Sequence, residues 1–439
     1  MTTAPQDQDR ADVPAAEREI AAPATTAPTF RNPGMGFLLA LGAASIALMA
    51  ALLSVGILTM PLQANTIDAA GATTIISIAS VFAGLVALVT SPILGRLSDR
   101  TLGRFGRRRP YLVLGAALIF AGAVLVLAAT STFLLALGWV TMTLGQVAAF
   151  SALGAVIPDQ LAPERRGPAS ALFGVAGTGG AILGLAIGSA FSPNLAPMIL
   201  VPAGLAVVFL LLFAAVLSDK PLAAADRPPL DLKEILGTFW VNPARFPAFA
   251  LAFGSRFAIF CAIAAVNAYQ AVYLILGLHI APADVAGRIF LANLLMGVTA
   301  LVAAMGLGKV SDIVGRRKIF VIASAVIFAV GLAVIAAAPD FATFLIGGVI
   351  MGVGQGVYLA VDFALITQVL PDPMNPAKDL GIMNLASSLP NIVVPAVAPA
   401  LLAIGASATM PQNFVAFFGA AAIAGAIGAL LIVPIRGVR

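Results

Sequence analysis

Beyond position 34 the chain is dominated by long apolar blocks separated by short polar or Gly- and Pro-bearing stretches. Twelve blocks stand out, at 35–62, 70–94, 111–129, 132–157, 168–191, 196–217, 247–276, 286–307, 319–338, 341–369, 381–404 and 413–435. Each is close to or above the roughly 20 residues that an α-helix needs to cross hydrocarbon. None alternates with the two-residue period of a barrel strand, so helices are the only backbone that satisfies its own hydrogen bonds in lipid. The expected fold is an all-α membrane protein with twelve spanning helices. Residues 1–33 differ: they are rich in Ala, Pro, Thr and charge, and show no apolar period. They read as a disordered tail. The first apolar block starts too late and runs too long for a signal-peptide core.

Composition agrees with this pattern. Of the 439 residues, 61% are apolar and 10% charged, with a mean hydropathy of +1.05. A soluble domain is nearer 25% charged, so soluble and disordered classes are excluded for the body of the chain. The sequence pI of 9.7 does not imply nucleic acid, because the basic residues are distributed as topology signals. With the N-terminus placed in the cytoplasm, all of the 24 Lys and Arg fall in cytoplasmic segments except Arg256, within a span, and Arg288 on the other side. This split puts both termini in the cytoplasm. Cys261 is the single cysteine and His279 the single histidine, which leaves no material for a disulfide, a Cys/His metal site or His-based catalysis. No cofactor is implied, and GxxxxGK[ST] is absent, so ATP-driven pumping is not expected.

The stretch 218–246 is the longest expected cytoplasmic loop and carries Lys220, Asp226, Arg227, Asp231, Lys233 and Glu234. It divides the chain into 34–217 and 247–439, with six blocks each. Both halves carry a similar signature between their second and third blocks. The first reads Gly95-Arg96-Leu97-Ser98-Asp99, then Gly106-Arg107-Arg108-Arg109; the second reads Gly308-Lys309-Val310-Ser311-Asp312, then Gly315-Arg316-Arg317-Lys318. Duplication of a six-helix unit is the expected origin. Gly95 and Gly308 suit tight helix ends or close backbone approach. Asp99 and Asp312 at the membrane edge suit pairing with Arg or with a helix N-terminus. Pro110 suits the first turn of the third helix.

The repeated signature resembles the loop 2–3 motif of the major facilitator superfamily. The longer form SDRTLGRFGRRRP resembles the branch of sucrose–proton symporters and glycoside–pentoside–hexuronide symporters. Ile157-Pro158-Asp159 with Arg166-Gly167, Tyr358 with Val361-Asp362, and Lys378-Asp379-Leu380-Gly381 fit the same branch. The resemblance implies two pseudo-symmetric six-helix bundles, with helices 1, 4, 7 and 10 around a central cavity. It implies a gating role for Gly95, Asp99, Arg100, Arg104, Gly106, Arg107, Arg108, Gly308, Asp312, Gly315, Arg316 and Arg317, with Asp99 bracing the halves in one access state. A competing reading of Arg107, Arg108 and Arg109 is that they only set topology and touch anionic lipid.

Charges at membrane depth are costly and mark function. Arg256 and Asp362 lie roughly 13 and 10 Å from the cytoplasmic ends of their helices at 1.5 Å per residue, so the two can meet. They are candidates for proton coupling, or else for a structural ion pair. Gln63, Asn65, Gln146, Asn267, Gln270, Asn293, Tyr358, Asn384 and Asn391 are candidate substrate contacts, since amides and a phenol match a polyhydroxylated ligand. Each amide also serves, as readily, to bond neighbouring helices. Pro390 and Pro395 are expected to kink or break the eleventh helix. Drug exporters of the superfamily usually carry an Arg in helix 4 and Gly-Pro in helix 5; neither occurs here. Melibiose-type relatives use acids in their first helices to bind cations, and the first six blocks hold no mid-membrane acid. The expected activity is proton-coupled symport of a sugar or glycoside by a monomer in the cell membrane, with proton-coupled export of a small organic compound as the alternative.

Overall fold

A computed structural model describes residues 34–219, 242–314, 317–371, 376–406 and 411–435. The side chains at positions 308, 312, 317, 363, 364, 376 and 377 fall outside the description. The same holds for the expected tail, for most of the expected linker 218–246, and for Gly315 and Arg316.

Among the described residues, twelve helices are long and apolar enough to span a membrane. They are α1 (Met35–Ile67), α2 (Ala72–Arg100), α3 (Arg109–Leu127), α4 (Thr132–Gln160), α5 (Arg166–Phe191), α6 (Leu195–Val216), α7 (Pro247–Gly277), α8 (Pro282–Val314), α9 (Arg317–Ala336), α10 (Phe341–Gln368), α11 in two pieces (Pro376–Ser388 and Pro390–Ala403), and α12 (Phe414–Ile432). Each apolar block of the sequence corresponds to one helix. The main difference is at polar ends. α2 and α8 continue through Asp99 and Asp312, because apolarity marks only the lipid-immersed part of a helix. Gly95 and Gly308 therefore lie inside helices rather than ending them, and a Cβ on Gly95 would meet no atom within 4 Å. Neither expected role for Gly95 holds.

Helix ends are set by local chemistry. Ser131, Asn194, Asp340 and Asn413 cap α4, α6, α10 and α12 by accepting backbone N–H bonds from Leu134, Ala196, Thr343 and Ala416. α11 breaks at Leu389, just before Pro390, whose missing N–H interrupts the ladder. Pro395 sits inside the second piece. α1 and α7 each contain one π-helical turn, at Val55–Thr59 and Tyr273–Gly277.

The packing repeats between the halves. α1 packs on α5 and α6, α2 on α4, and α3 on α4 and α6; correspondingly, α7 packs on α11 and α12, α8 on α10, and α9 on α10 and α12. Glycine allows the closest pairs. A Cβ on Gly145 of α4 would stand 2.8 Å from the Gly115 carbonyl of α3, and one on Gly347 of α10 would stand 2.8 Å from the Gly331 carbonyl of α9. The two bundles meet where α2 crosses α11 and where α5 crosses α8.

Three hydrogen bonds join the bundles at one end. Ser77 and Tyr269 share one at 2.7 Å, the Ser192 hydroxyl donates to the Ala283 carbonyl at 3.0 Å, and the Gln412 amide donates to the Ala70 carbonyl at 3.2 Å. All three lie toward the loops α1–α2, α5–α6, α7–α8 and α11–α12.

Candidate functional site

Between the bundles lies a cavity of about 790 Å³, walled by α1, α2, α4, α7 and α11. Its polar lining consists of Ser80, Ser91, Thr143, Gln146, Ser151, Asn267, Asn384, Ser387, Ser388 and Asn391; none of the described residues lining it is charged. Trp139 and Phe150 of α4 supply aromatic surface. The π turn of α1 brings Gly56 against the Trp139 indole, where a Cβ would stand 3.0 Å from the ring. On α11, Asn384, Ser387, Ser388 and Asn391 form a polar stripe across the break. The Ser388 hydroxyl donates to the Asn384 carbonyl at 3.0 Å. The Asn391 amide lies within 3.5 Å of the Ser387 and Ser388 carbonyls. A site with these neutral donors and acceptors around an aromatic surface suits a neutral polar ligand.

Beside the cavity, Arg256 of α7 and Asp362 of α10 form an ion pair. Tyr358, one turn before Asp362 on the same face, lies against the same carboxylate. Asp362 and Tyr358 are buried, at 6% and 2% exposure. The Arg256 guanidinium also lies 5.1 Å over the Phe260 ring and donates through Nε to the Ser387 Oγ at 2.8 Å. A charge pair so held is satisfied on each side, as burial requires.

The candidates named from sequence divide into two groups. Gln146, Asn267, Asn384 and Asn391 line the cavity. Gln63, Asn65, Gln270, Asn293 and Tyr358 do not. The Gln63 amide donates to the Ala129 carbonyl at 2.8 Å and satisfies the end of α3, and Asn65 lies half-buried beyond it. Gln270 accepts from the Asn293 amide at 3.1 Å, so these two bond α7 to α8. Tyr358 is packed against Asp362 instead of facing the cavity. No described residue of helix 10 lines it either, and α2 and α11 take part in its place. Three residues missed in the sequence matter here. Trp139 stands one and two turns before Thr143 and Gln146 on one helical face, Ser387 completes the stripe from Asn384 to Asn391, and Asp219 lies just past an apolar block.

Asp219 belongs to the α2–α3 loop network. Its carboxylate accepts the backbone N–H groups of Arg108 and Arg109 at the start of α3. Gly106 passes beside it at φ +87°, where any Cβ would collide with that carboxylate. Arg108 is buried and ion-paired with Asp159 at 2.9 Å and with Asp99 at 2.6 Å; Arg107 pairs with Asp159 at 3.0 Å. Burial opposes the charge on Arg108, but the bonds to Asp159 and Asp99 outweigh it and raise its pKa. Asp99 is thus held within its own bundle and does not brace the two halves in this conformation. Arg104 lies over the Phe105 ring at 4.7 Å, and one terminal nitrogen of Arg100 is buried with no hydrogen-bond partner. Arg109 donates to the Leu217 and Ala215 carbonyls at the end of α6. Lys318, its counterpart in the second copy, donates to the Val433 and Ile435 carbonyls beyond α12 at 2.6 and 2.9 Å.

Solved transporters share this architecture. The nucleoside transporter NupG superposes with a TM-score of 0.72 at 12% identity, over 91% of this chain and 100% of that one. A peptide transporter determined in complex with sulfate gives 0.68 at 16% identity, over 92% and 96%. A D-xylose–proton symporter gives 0.66 at 17% identity, over 92% and 99%. At such identities the likeness is one of fold. No curated protein sequence matches the chain. The family model for the Major Facilitator Superfamily matches residues 34–307 and 257–438. With that match spanning both bundles and the same fold in its structural neighbours, the chain is a multi-pass membrane protein belonging to the Major Facilitator Superfamily of transporters.

Proposed function

We propose that the protein imports a neutral sugar or glycoside together with protons, by alternating access and as a monomer. The observation that carries this reading is the lining of the central cavity. Its amides and hydroxyls match the many donors and acceptors of a polyol, Trp139 offers a flat apolar surface to a ring face, and none of the described lining residues carries a charge for a charged ligand. The resemblance of SDRTLGRFGRRRP to the sugar-symporter branch supports the same substrate class, and one structural neighbour is a xylose–proton symporter. The Arg256–Asp362 pair is the proposed coupling site, because Asp362 is the one acid at membrane depth in the second bundle. The Lys and Arg distribution supports cytoplasmic termini. The end joined by Ser77–Tyr269, Ser192–Ala283 and Gln412–Ala70 is then extracellular, and the cavity, which runs on to Pro92 and Gly381 toward the other ends of α2 and α11, supports an inward-facing conformation.

The test is uptake into liposomes under an inward proton gradient, using labelled sucrose, maltose, glucose and methyl β-glucoside. Uptake of one of them against its gradient, abolished by a protonophore, is the expected result. A folded protein that moves none of them overturns the sugar assignment and favours export of another small compound.

A further inference from the structure

We propose that Ser387 is a positioning residue that transmits occupancy of the cavity to the Arg256–Asp362 pair. The inference rests on the proton-coupled reading above and adds a path to it. Neither Arg256, Asp362 nor Tyr358 lines the cavity, so a ligand there touches none of the three. Ser387 does line it, and its Oγ accepts the Arg256 Nε–H at 2.8 Å. Among the described residues, it alone of the groups in contact with the ion pair also faces the ligand space.

The chemistry of a hydroxyl suits the role. Serine Oγ has one proton to give and two lone pairs. One lone pair holds Arg256, which leaves the proton and the second lone pair for a ligand hydroxyl. A ligand that takes the serine proton polarises Oγ and strengthens its bond to Nε. A ligand that donates to Oγ competes with Nε for it. Either way the load on one side of the guanidinium changes while Nη1 serves Asp362 on the other.

Position adds a mechanical route. Ser387 lies two residues before the α11 break at Leu389, and the cavity continues past the break to Asn391 and Pro395. The Asn391 side chain reaches back to the Ser387 carbonyl, within 3.5 Å. A ligand that engages Asn391 and Ser388 therefore acts on the piece of α11 that carries Ser387. Discontinuous helices at transporter sites move as separate pieces.

The experiment compares wild type, Ser387→Ala and Ser387→Thr in liposomes. The probe is whichever of the four labelled sugars the wild-type protein takes up fastest. Two quantities are read: accumulation driven by a proton gradient, and sugar exchange with equal pH on both sides. In Ser387→Ala the ratio of accumulation to exchange is expected to fall by about tenfold, the scale of one hydrogen bond to a charged group. Ser387→Thr, which keeps the hydroxyl, is expected to retain the wild-type ratio. An unchanged ratio in Ser387→Ala overturns the proposal. An equal loss of both quantities in Ala and Thr variants also overturns it, since that marks a packing role. Failure of the wild-type protein to accumulate any of the four sugars overturns the proton-coupled reading first, and this proposal with it; the two failures are read from different proteins.

Discussion

The two bundles share a packing plan, but among the described residues their ion pairs lie at different depths. In the first, the described ion pairs gather at the membrane edge, where Arg107 and Arg108 meet Asp99 and Asp159, and Asp219 caps α3. In the second, Arg256 and Asp362 pair inside the membrane beside the cavity. The capping role of the repeat is kept on both sides, since Arg109 closes α6 and Lys318 closes the end of α12. The difference teaches that the last residue of the repeated signature ties off a helix in each bundle, and that among the described residues the ion pair at depth, where the proposed coupling would act, belongs to the second bundle. An edge network tolerates water, whereas a pair at depth cannot lose a member cheaply.

The largest expected effect follows from that contrast. Removing one partner of a buried pair leaves an uncompensated charge, at a cost of about 3–5 kcal/mol. Arg256→Ala and Asp362→Asn should each lower thermal stability in detergent markedly and abolish proton-driven accumulation. The double substitution Arg256→Ala with Asp362→Ala should be more stable than Arg256→Ala alone, while remaining uncoupled. Equal stability of the single and double variants would show that the pair contributes no mutual compensation. At the edge of the first bundle, Asp159→Asn removes the carboxylate shared by Arg107 and Arg108 and should cost about 1.5–3 kcal/mol. Asp99, half exposed, should cost under about 1 kcal/mol as Asp99→Asn. Accumulation in Asp159→Asn should follow the amount of folded protein; uncoupling there would erase the distinction between the bundles.

A second comparison uses the glycine crossings. Gly145→Ala forces α4 from α3, and Gly347→Ala forces α10 from α9, against backbone atoms at 2.8 Å in both cases. Overpacking of this kind costs about 1–3 kcal/mol. The same loss of thermal stability in both variants would confirm that the halves use one packing plan; a loss confined to one would break it.

These crossings also show what the sequence carries. All twelve helices were legible, because each needs its own apolar block and nothing else supplies one in lipid. The two charges at depth were legible too, since charge stands out against such a background, but that they touch follows only from the fold. The cavity was half legible. Asn267 and Gln146 line it, whereas Gln63 and Gln270, equally polar, bond neighbouring helices. An amide is identical in both roles, and only its neighbours decide. Ser387 and Trp139 escaped because a serine or an aromatic in an apolar helix costs little and so gives no signal. Helix 10 was expected at the cavity, but Asp362 and Tyr358 face Arg256 inside the second bundle, and α11 fills that wall.

The smallest effect separates two caps at corresponding positions. Ser131 caps α4 and Asp340 caps α10, each by accepting an N–H bond from three residues on. The hydroxyl cap is indifferent to pH. The carboxylate is not: the N–H bond from Thr343 holds Asp340 below its ordinary 3.8. A carboxyl whose folded pKa is depressed gives stability that is full above its unfolded pKa and is lost as pH falls through the folded value. The stability difference between wild type and Ser131→Ala, up to about 1 kcal/mol, should therefore stay constant as pH drops. The difference between wild type and Asp340→Ala should shrink on acidification below about pH 4, the ordinary range for an aspartate. Thermal unfolding of the two variants across pH 3 to 7 reads both slopes. Parallel behaviour of the two would mean that the Asp340 charge adds nothing to its cap, and that the bundles end these two helices by the same neutral hydrogen bond.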